Sequence, residues 1–323
     1  MARNKVSNRT TRPLERYNMS DNRVLRKQKD LVDLALGITT GFSAAALAKT
    51  ANAPLARVVT LLQTQDANPR IKSVNHTAGD IARYTGIINV LTRVTKEQGT
   101  LAHWRGNLPS VLSYVPSTFS KFVLKDSVKS LFPKFDMKTQ FWPWFGVNMA
   151  SGAISIAVTY PFHFAYVRLS ADVGVEGKGP GREFSGLADC LRKTIHRSGF
   201  LSIYKGFGVS VLNIIVYRGA YFGFYDSAIG WLKPKNIVFK FMVAQIVVMS
   251  AGLASYPFKL VQHRLIMQAG SPEPIYTGAL DCATKVARRE GARGLFKGAG
   301  ANIFFGVSGT FMLILYDKVK EFM

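Results

Sequence analysis

Uncharged runs set the frame of this chain. Phe141–Tyr160 holds 20 residues without a charge, and Phe241–Phe258 and Ala299–Tyr316 hold 18 each. Each is close to the roughly 20 apolar residues that carry a helix across a hydrocarbon core. Three less pure runs complete the series: 34–48 ends at Lys49, 107–120 ends at Lys121, and the run over 206–225 contains Arg218. One such run fits a buried helix of a soluble protein, but six separated by polar segments predict a polytopic helical membrane protein. A charge within a span costs about 2.5–3.5 kcal/mol on insertion scales unless it faces a wet or paired interior. Lys49, Lys121 and Arg218 therefore mark a polar inner face.

The runs fall into three copies of one unit. Pro54, Pro161 and Pro257 open corresponding elements, A-P-L-A-R-V-V, Y-P-F-H-F-A-Y-V-R and Y-P-F-K-L-V-Q. Downstream come Y-T-G, F-S-G and Y-T-G, then Gln98-Gly99, Ser198-Gly199 and Glu290-Gly291. The triplets W-R-G (104–106), Y-K-G (204–206) and F-K-G (296–298) follow. Asp126, Asp226 and Asp317 close the copies, 100 and 91 residues apart. The fold class expected is an all-α membrane protein: six tilted transmembrane helices in three pseudo-symmetric repeats, each with a short amphipathic loop helix. A basic extension over 1–30 precedes repeats at 31–133, 134–234 and 235–323. Proline removes a backbone hydrogen bond and kinks its helix, so three kinked helices can converge at one end and leave a cavity open at the other. The triplets place a base and an interfacial aromatic at a helix start, a plausible seat for an anionic lipid headgroup through Trp104, Arg105, Gly106, Tyr204, Lys205, Gly206, Phe296, Lys297 and Gly298.

Charge narrows the partners. The formal charge is +23, from 42 Lys and Arg against 19 Asp and Glu. No nucleic-acid motif accompanies it, and the basic residues flank apolar spans throughout, so anionic membrane lipid is the simpler partner. Loops on both sides are basic, which leaves orientation undetermined. Cys190 and Cys282 stand in equivalent D-C pairs, with no cluster that suggests a metal site or a disulfide scaffold. No nucleophile–base pair or phosphate-binding loop points to an enzyme. The first 30 residues carry nine bases and three acids with no apolar core, which argues against a secretory signal and a cleavable transit peptide. Two readings of them stay open, a plain basic tail and a docking arm for a partner or lipid surface.

The ordered set of repeats resembles the mitochondrial carrier family over residues 31–323. Within it, R-L-S-A-D-V-G (168–174), R-E-F-S-G-L-A-D-C-L (182–191), Y-R-G-A-Y-F-G-F-Y-D (217–226), W-R-G-N-L (104–108) and A-K-T-A-N-A-P (48–54) are similar to the ADP/ATP carriers. The resemblance implies a multi-pass protein of the mitochondrial inner membrane, both termini toward the intermembrane space, with cardiolipin as the bound lipid. It also implies two gates made of inter-repeat ion pairs.

On the matrix side such carriers place an acid two residues after each kink proline and a base five after it. Here those positions hold Ala56, His163 and Lys259, and Val59, Tyr166 and Gln262. No acid–base pair can form among them, and Gln63, which would brace the first pair, has none to brace. On the intermembrane side Asp126 with Lys129 and Asp317 with Lys320 fit the pattern, while Asp226 faces Ile229 where a base is expected. Of the nucleotide contacts implied, Lys49, Ile214, Tyr217 and Arg218 are present, with Tyr221 and Tyr225 continuing an aromatic stripe. Arg57 and Lys121 offer further positive charge. Ser113 and Phe305 stand in place of two arginines, Asn213 in place of a glycine, and the fifth-helix signature is reduced to Arg264 and Met267 within 262–267.

Two functions are compatible with this pattern. One is a carrier fold whose transport is impaired and which serves as an accessory subunit beside other inner-membrane proteins. The other is a working exchanger of ADP and ATP or another anion, its matrix end closed by hydrogen bonds among His163, Tyr166, Lys259 and Gln262.

Overall fold

The computed structural model describes residues 39–68, 71–72, 81–120, 139–174, 181–232, 237–271 and 274–306. They belong to two compact units, Met1–Ala45 and Ala46–Met323. In the first unit the described residues, 39–45, are helical. The expected positions Lys121, Asp126, Lys129, Asp317 and Lys320, and the 1–30 extension, lie outside the described residues.

The long helices follow the uncharged runs. α1 covers 39–64, α5 Phe141–Ala171, α7 Phe207–Leu232 and α8 Ile237–Met267. Pro161 and Pro257 lie inside α5 and α8, and Pro54 inside α1. Shorter pieces α3 (Asn107–Leu112) and α4 (Tyr114–Phe119) form the second run, and α10 (299–306) opens the last. Among the described residues, Phe200–Leu232 and Phe241–Met267 are long and apolar enough to cross a membrane. A two-residue parallel pairing, β1 (Ile71–Lys72) with β2 (Ile81–Ala82), is the only extended pairing among the described residues.

The three loop helices are equal in length: α2 (Ile87–Gln98), α6 (Leu187–Ser198) and α9 (Ala279–Glu290), each 12 residues. Their buried residues recur every fourth position, at Val90, Val94 and Gln98, at Cys190 and Thr194, and at Cys282 and Val286. That spacing gives one inward stripe on a helix whose other faces are polar. Each ends at a glycine in the left-handed region, Gly99, Gly199 and Gly291 with φ of 82°, 79° and 75°. A five-residue 3-10 turn follows in every copy, then a second left-handed glycine, Gly106, Gly206 and Gly298. The paired glycine motifs of the sequence are thus conformational requirements, since L side chains rarely adopt this backbone.

The second glycine of each pair also permits close approach. A Cβ on Gly106 would sit 2.2 Å from Ser170 Oγ on α5. On Gly206 it would sit 3.3 Å from the Gln262 carbonyl on α8, and on Gly298 3.3 Å from Leu62 Cβ on α1. Each repeat's even helix therefore begins pressed against the odd helix of the next repeat, in a cycle. The packing shows the same order. Among the described residues there are three small apolar cores, one around each proline helix and its loop helix, and each borrows residues from its neighbours. Val173 and Ala301 join the core of Val58, Leu62 and Val94, while Ile266 and Ala269 join that of Phe164 and Cys190.

Candidate functional site

Between the converging helices lies a cavity of about 510 Å³. Among the described residues its lining includes the bases Lys49, Arg105 and Lys259 and no acid. Lys49 donates to the Ser110 carbonyl and to Ser113 Oγ at 3.1 Å, so the serine in the place of an expected arginine becomes its partner. Ile214 and Asn213 line the cavity wall. Higher on α7, Tyr217, Tyr221 and Tyr225 form a ladder with centroids 6.3 and 5.8 Å apart and near-parallel rings. Arg218 is exposed, its guanidinium 3.8 Å from where a Cβ on Gly152 would lie. Asp226 is exposed at the far end of α7.

Arg57 is not a cavity residue. It is 1% exposed and donates to Gln98 Oε1 at 2.8 Å, to the Ser170 and Asp172 carbonyls at 3.1 and 3.3 Å, and to the Ala102 carbonyl. A guanidinium engaged this fully is a tie between the first two repeats, and the expectation of a substrate contact is corrected accordingly. The sequence position, three residues beyond the proline, puts it on the packed side of α1.

The six matrix-gate positions gather at the cavity floor, but their bonds differ from those expected. Val59 packs in an apolar core. Lys259 Nζ donates to Asn302 Oδ1 at 2.6 Å, a neutral partner on α10. The Tyr166 hydroxyl lies 3.2 Å from Thr60 Oγ1 and donates at 3.4 Å to the Ala56 carbonyl. His163 contacts Tyr166 and His263 through its ring, centroids 6.1 and 5.7 Å away. Of the four polar residues, Tyr166 thus bonds to Thr60 and Ala56 and Lys259 to Asn302, rather than to one another. Gln63 has work after all. Its Oε1 is 2.5 Å from His263 Nδ1 and its Nε2 donates to the Tyr256 hydroxyl at 2.8 Å, which donates to the Lys297 carbonyl at 2.6 Å.

Beneath the floor, charged links absent from the sequence expectation join every pair of repeats. Arg105 meets Asp172 at 2.5 Å, joining repeats one and two. Arg168 donates to the Met267 carbonyl, joining two and three. Arg264 and Lys297 meet Asp66 at 3.0 and 2.8 Å, joining three and one. Both also hold Glu290, Arg264 at 2.5 Å and Lys297 at 2.5 Å. Burial alone would raise the Glu290 carboxyl, but the hydrogen bonds from Arg264 and Lys297 outweigh it and hold it at about 2. Of the triplet bases, Arg105 and Lys297 are therefore turned toward carboxylates, while Trp104 and Phe296 stay substantially exposed. Burial lowers the Lys205 ammonium.

Three copies of a proline-bearing helix, loop helix and double-glycine turn around a basic cavity define a carrier. The family model described as mitochondrial carrier protein matches residues 32–136, 138–236 and 233–323, and the chain belongs to the mitochondrial carrier family. Its curated relatives narrow the class. It is 49% identical over 304 residues to the ADP,ATP carrier protein of Parachlorella kessleri, covering 92% of this chain and 87% of that protein. It is 46% identical over 301 residues to ADP/ATP translocase 2 of Bos taurus and 45% over 300 to ADP/ATP translocase 3 of Homo sapiens, in both cases covering 90% of this chain and 98% of the relative. The chain is an ADP/ATP-carrier-like member of the family.

Proposed function

We propose that the chain is a multi-pass protein of the mitochondrial inner membrane whose transport cycle is impaired, and that it serves as an accessory subunit of a respiratory assembly. One observation carries this reading: six gate positions hold no carboxylate, with Val59 in an apolar core and Lys259 on a neutral amide. A gate that must open repeatedly needs contacts that are strong when made and well hydrated when broken, which opposite charges provide. Here the matrix end is held by buried guanidinium contacts to backbone carbonyls and by deeply set ion pairs. Separating those leaves desolvated groups without partners, at about 3–5 kcal/mol for a buried pair broken on one side. The anionic lipid of this membrane, cardiolipin, is the lipid partner we assign to the helix starts of the three triplets, with Trp104 and Phe296 exposed and Tyr204 half-buried beside them.

Extraction in mild detergent tests the assembly. The chain is expected to migrate with a large respiratory complex and to stay in stoichiometric ratio with its subunits. Recovery solely as a free monomer would contradict the proposal.

A second reading, exchange of ADP, ATP or another anion, is favoured by the basic lining of the cavity, acid-free among the described residues, and by the tyrosine ladder. It requires the floor to open despite the buried ties, and it is separated from the first by direct measurement of uptake.

A further inference from the structure

The cavity floor holds a set of groups whose hydrogen bonding is incomplete. Among the described residues, Lys259 has a single neutral oxygen as its partner, Asn302 Oδ1, and the lining of the cavity around it contains no carboxylate. A cation inside the membrane is normally answered by an opposite charge or by water. His163 and His263 share this floor, their rings 5.7 Å apart, and the Nε2 atom of each is buried with no hydrogen-bond partner among the described residues. Buried polar atoms left unpartnered mark places where a small bound species completes the network.

The chain of hydrogen bonds behind His263 decides which species fits. The Tyr256 hydroxyl donates to the Lys297 carbonyl, so its oxygen accepts from Gln63 Nε2. Gln63 Oε1 is then turned to His263, and Nδ1 of that ring must carry the hydrogen. In the neutral imidazole Nε2 is consequently a lone pair that accepts. A ligand at the floor must present negative charge to Lys259 and, at the same time, an O–H to His263.

We propose that His263, His163 and Lys259 form a binding site for a hydrogen-bearing oxyanion of the phosphate type at the closed end of the cavity. Its oxygens accept from Lys259 Nζ, and its O–H donates to His263 Nε2. His163 completes the shell from α5. The site converts the inverted charge at position 259 into an anion seat where a gate acid would otherwise stand. It is independent of whether the chain transports, because an idle cavity can hold a resident anion as well as a working one. The same chemistry is offered by free inorganic phosphate and by the terminal phosphate of a nucleotide.

Thermal unfolding of the full-length protein in detergent, at neutral pH and matched ionic strength, tests this. Inorganic phosphate is expected to raise Tm, and sulfate, which has no hydrogen to donate, is not. Lys259→Gln keeps a bond to Asn302 without the charge, and His263→Asn keeps the donor to Gln63 without Nε2. Each is expected to weaken the phosphate response by about tenfold or more in concentration, as loss of a hydrogen bond to a charged group does. A response to ADP alone that both substitutions remove assigns the seat to a nucleotide's terminal phosphate. The proposal is overturned if neither phosphate nor ADP shifts Tm, if sulfate acts equally, or if folded variants respond like the unaltered protein. Should both variants fail to fold, the contrast between phosphate and sulfate on the unaltered chain decides.

Discussion

Replacing Asp66 with Asn should loosen the closure of repeat three on repeat one. The Asp66 side chain is 13% exposed and accepts from Arg264 at 3.0 Å and Lys297 at 2.8 Å, with Arg83 as a third donor. The amide keeps one acceptor and removes the charge. A buried cation left wholly alone would cost about 3–5 kcal/mol. Arg264 is fully buried, but it and Lys297 retain Glu290, so about 2 kcal/mol is the expected loss. With about 2–4 °C per kcal/mol for domains somewhat smaller than this chain, Tm in detergent should fall by about 4–8 °C. Lys193→Gln supplies the comparison. That lysine pairs with Asp189 at 2.8 Å within α6 but is 43% exposed, and an exposed pair one helical turn apart contributes about 0.3–0.5 kcal/mol. If Asp66→Asn shifts Tm no further than Lys193→Gln, the inter-repeat strap is not a stabilising contact and the account of the matrix end fails.

Gly106→Ala places a Cβ 2.2 Å from Ser170 Oγ on a backbone with φ of +88°, and should cost about 2 kcal/mol or more by differential scanning; an unchanged Tm would refute the close packing. Cys190 and Cys282 are free and fully buried, and burial pushes both thiols up to about 12. Maleimide should therefore leave both unlabelled at pH 7.5 in mild detergent until a denaturant or heat unfolds the chain, as read by mass spectrometry. Glu290 is depressed in the folded state from 4.5 to about 2. Its contribution is fully present above about pH 4.5 and is lost as pH falls toward 2. Glu290→Gln should accordingly flatten the acid limb of the stability profile, and an unaltered limb would argue against the Arg264 and Lys297 contacts.

Much of the architecture was legible because it is written in local chemistry. Uncharged runs mark α5 and α8, an apolar run broken only by Arg218 marks α7, and the buried residues of α2, α6 and α9 fall four apart as a helical stripe requires. The paired glycines repeat because two left-handed turns per copy demand them. The gate was legible only in its losses. That Ala56, His163 and Lys259 cannot form acid–base pairs is plain from residue type, but their actual partners depend on helices crossing in space. Asn302 reaches Lys259 from 43 residues away and Gln63 reaches His263 from 200 away. The charge of Arg57 suggests a solute contact, whereas its place on the packed face of α1 sets its partners as backbone carbonyls and the Gln98 amide. Asp66 gave a usable signal, a lone acid closing a proline helix in a chain with a large basic excess, although only the fold brings repeat-three cations to it.

Whether the cavity floor opens is read from transport itself. The purified chain should be placed in liposomes loaded with unlabelled ADP and supplied with radiolabelled ADP outside. Uptake should be no faster than in protein-free liposomes, with a relative such as the Bos taurus translocase serving as the comparison under the same conditions. Saturable uptake that depends on internal nucleotide would show that the floor opens, and would contradict the proposal that this carrier fold no longer completes the cycle.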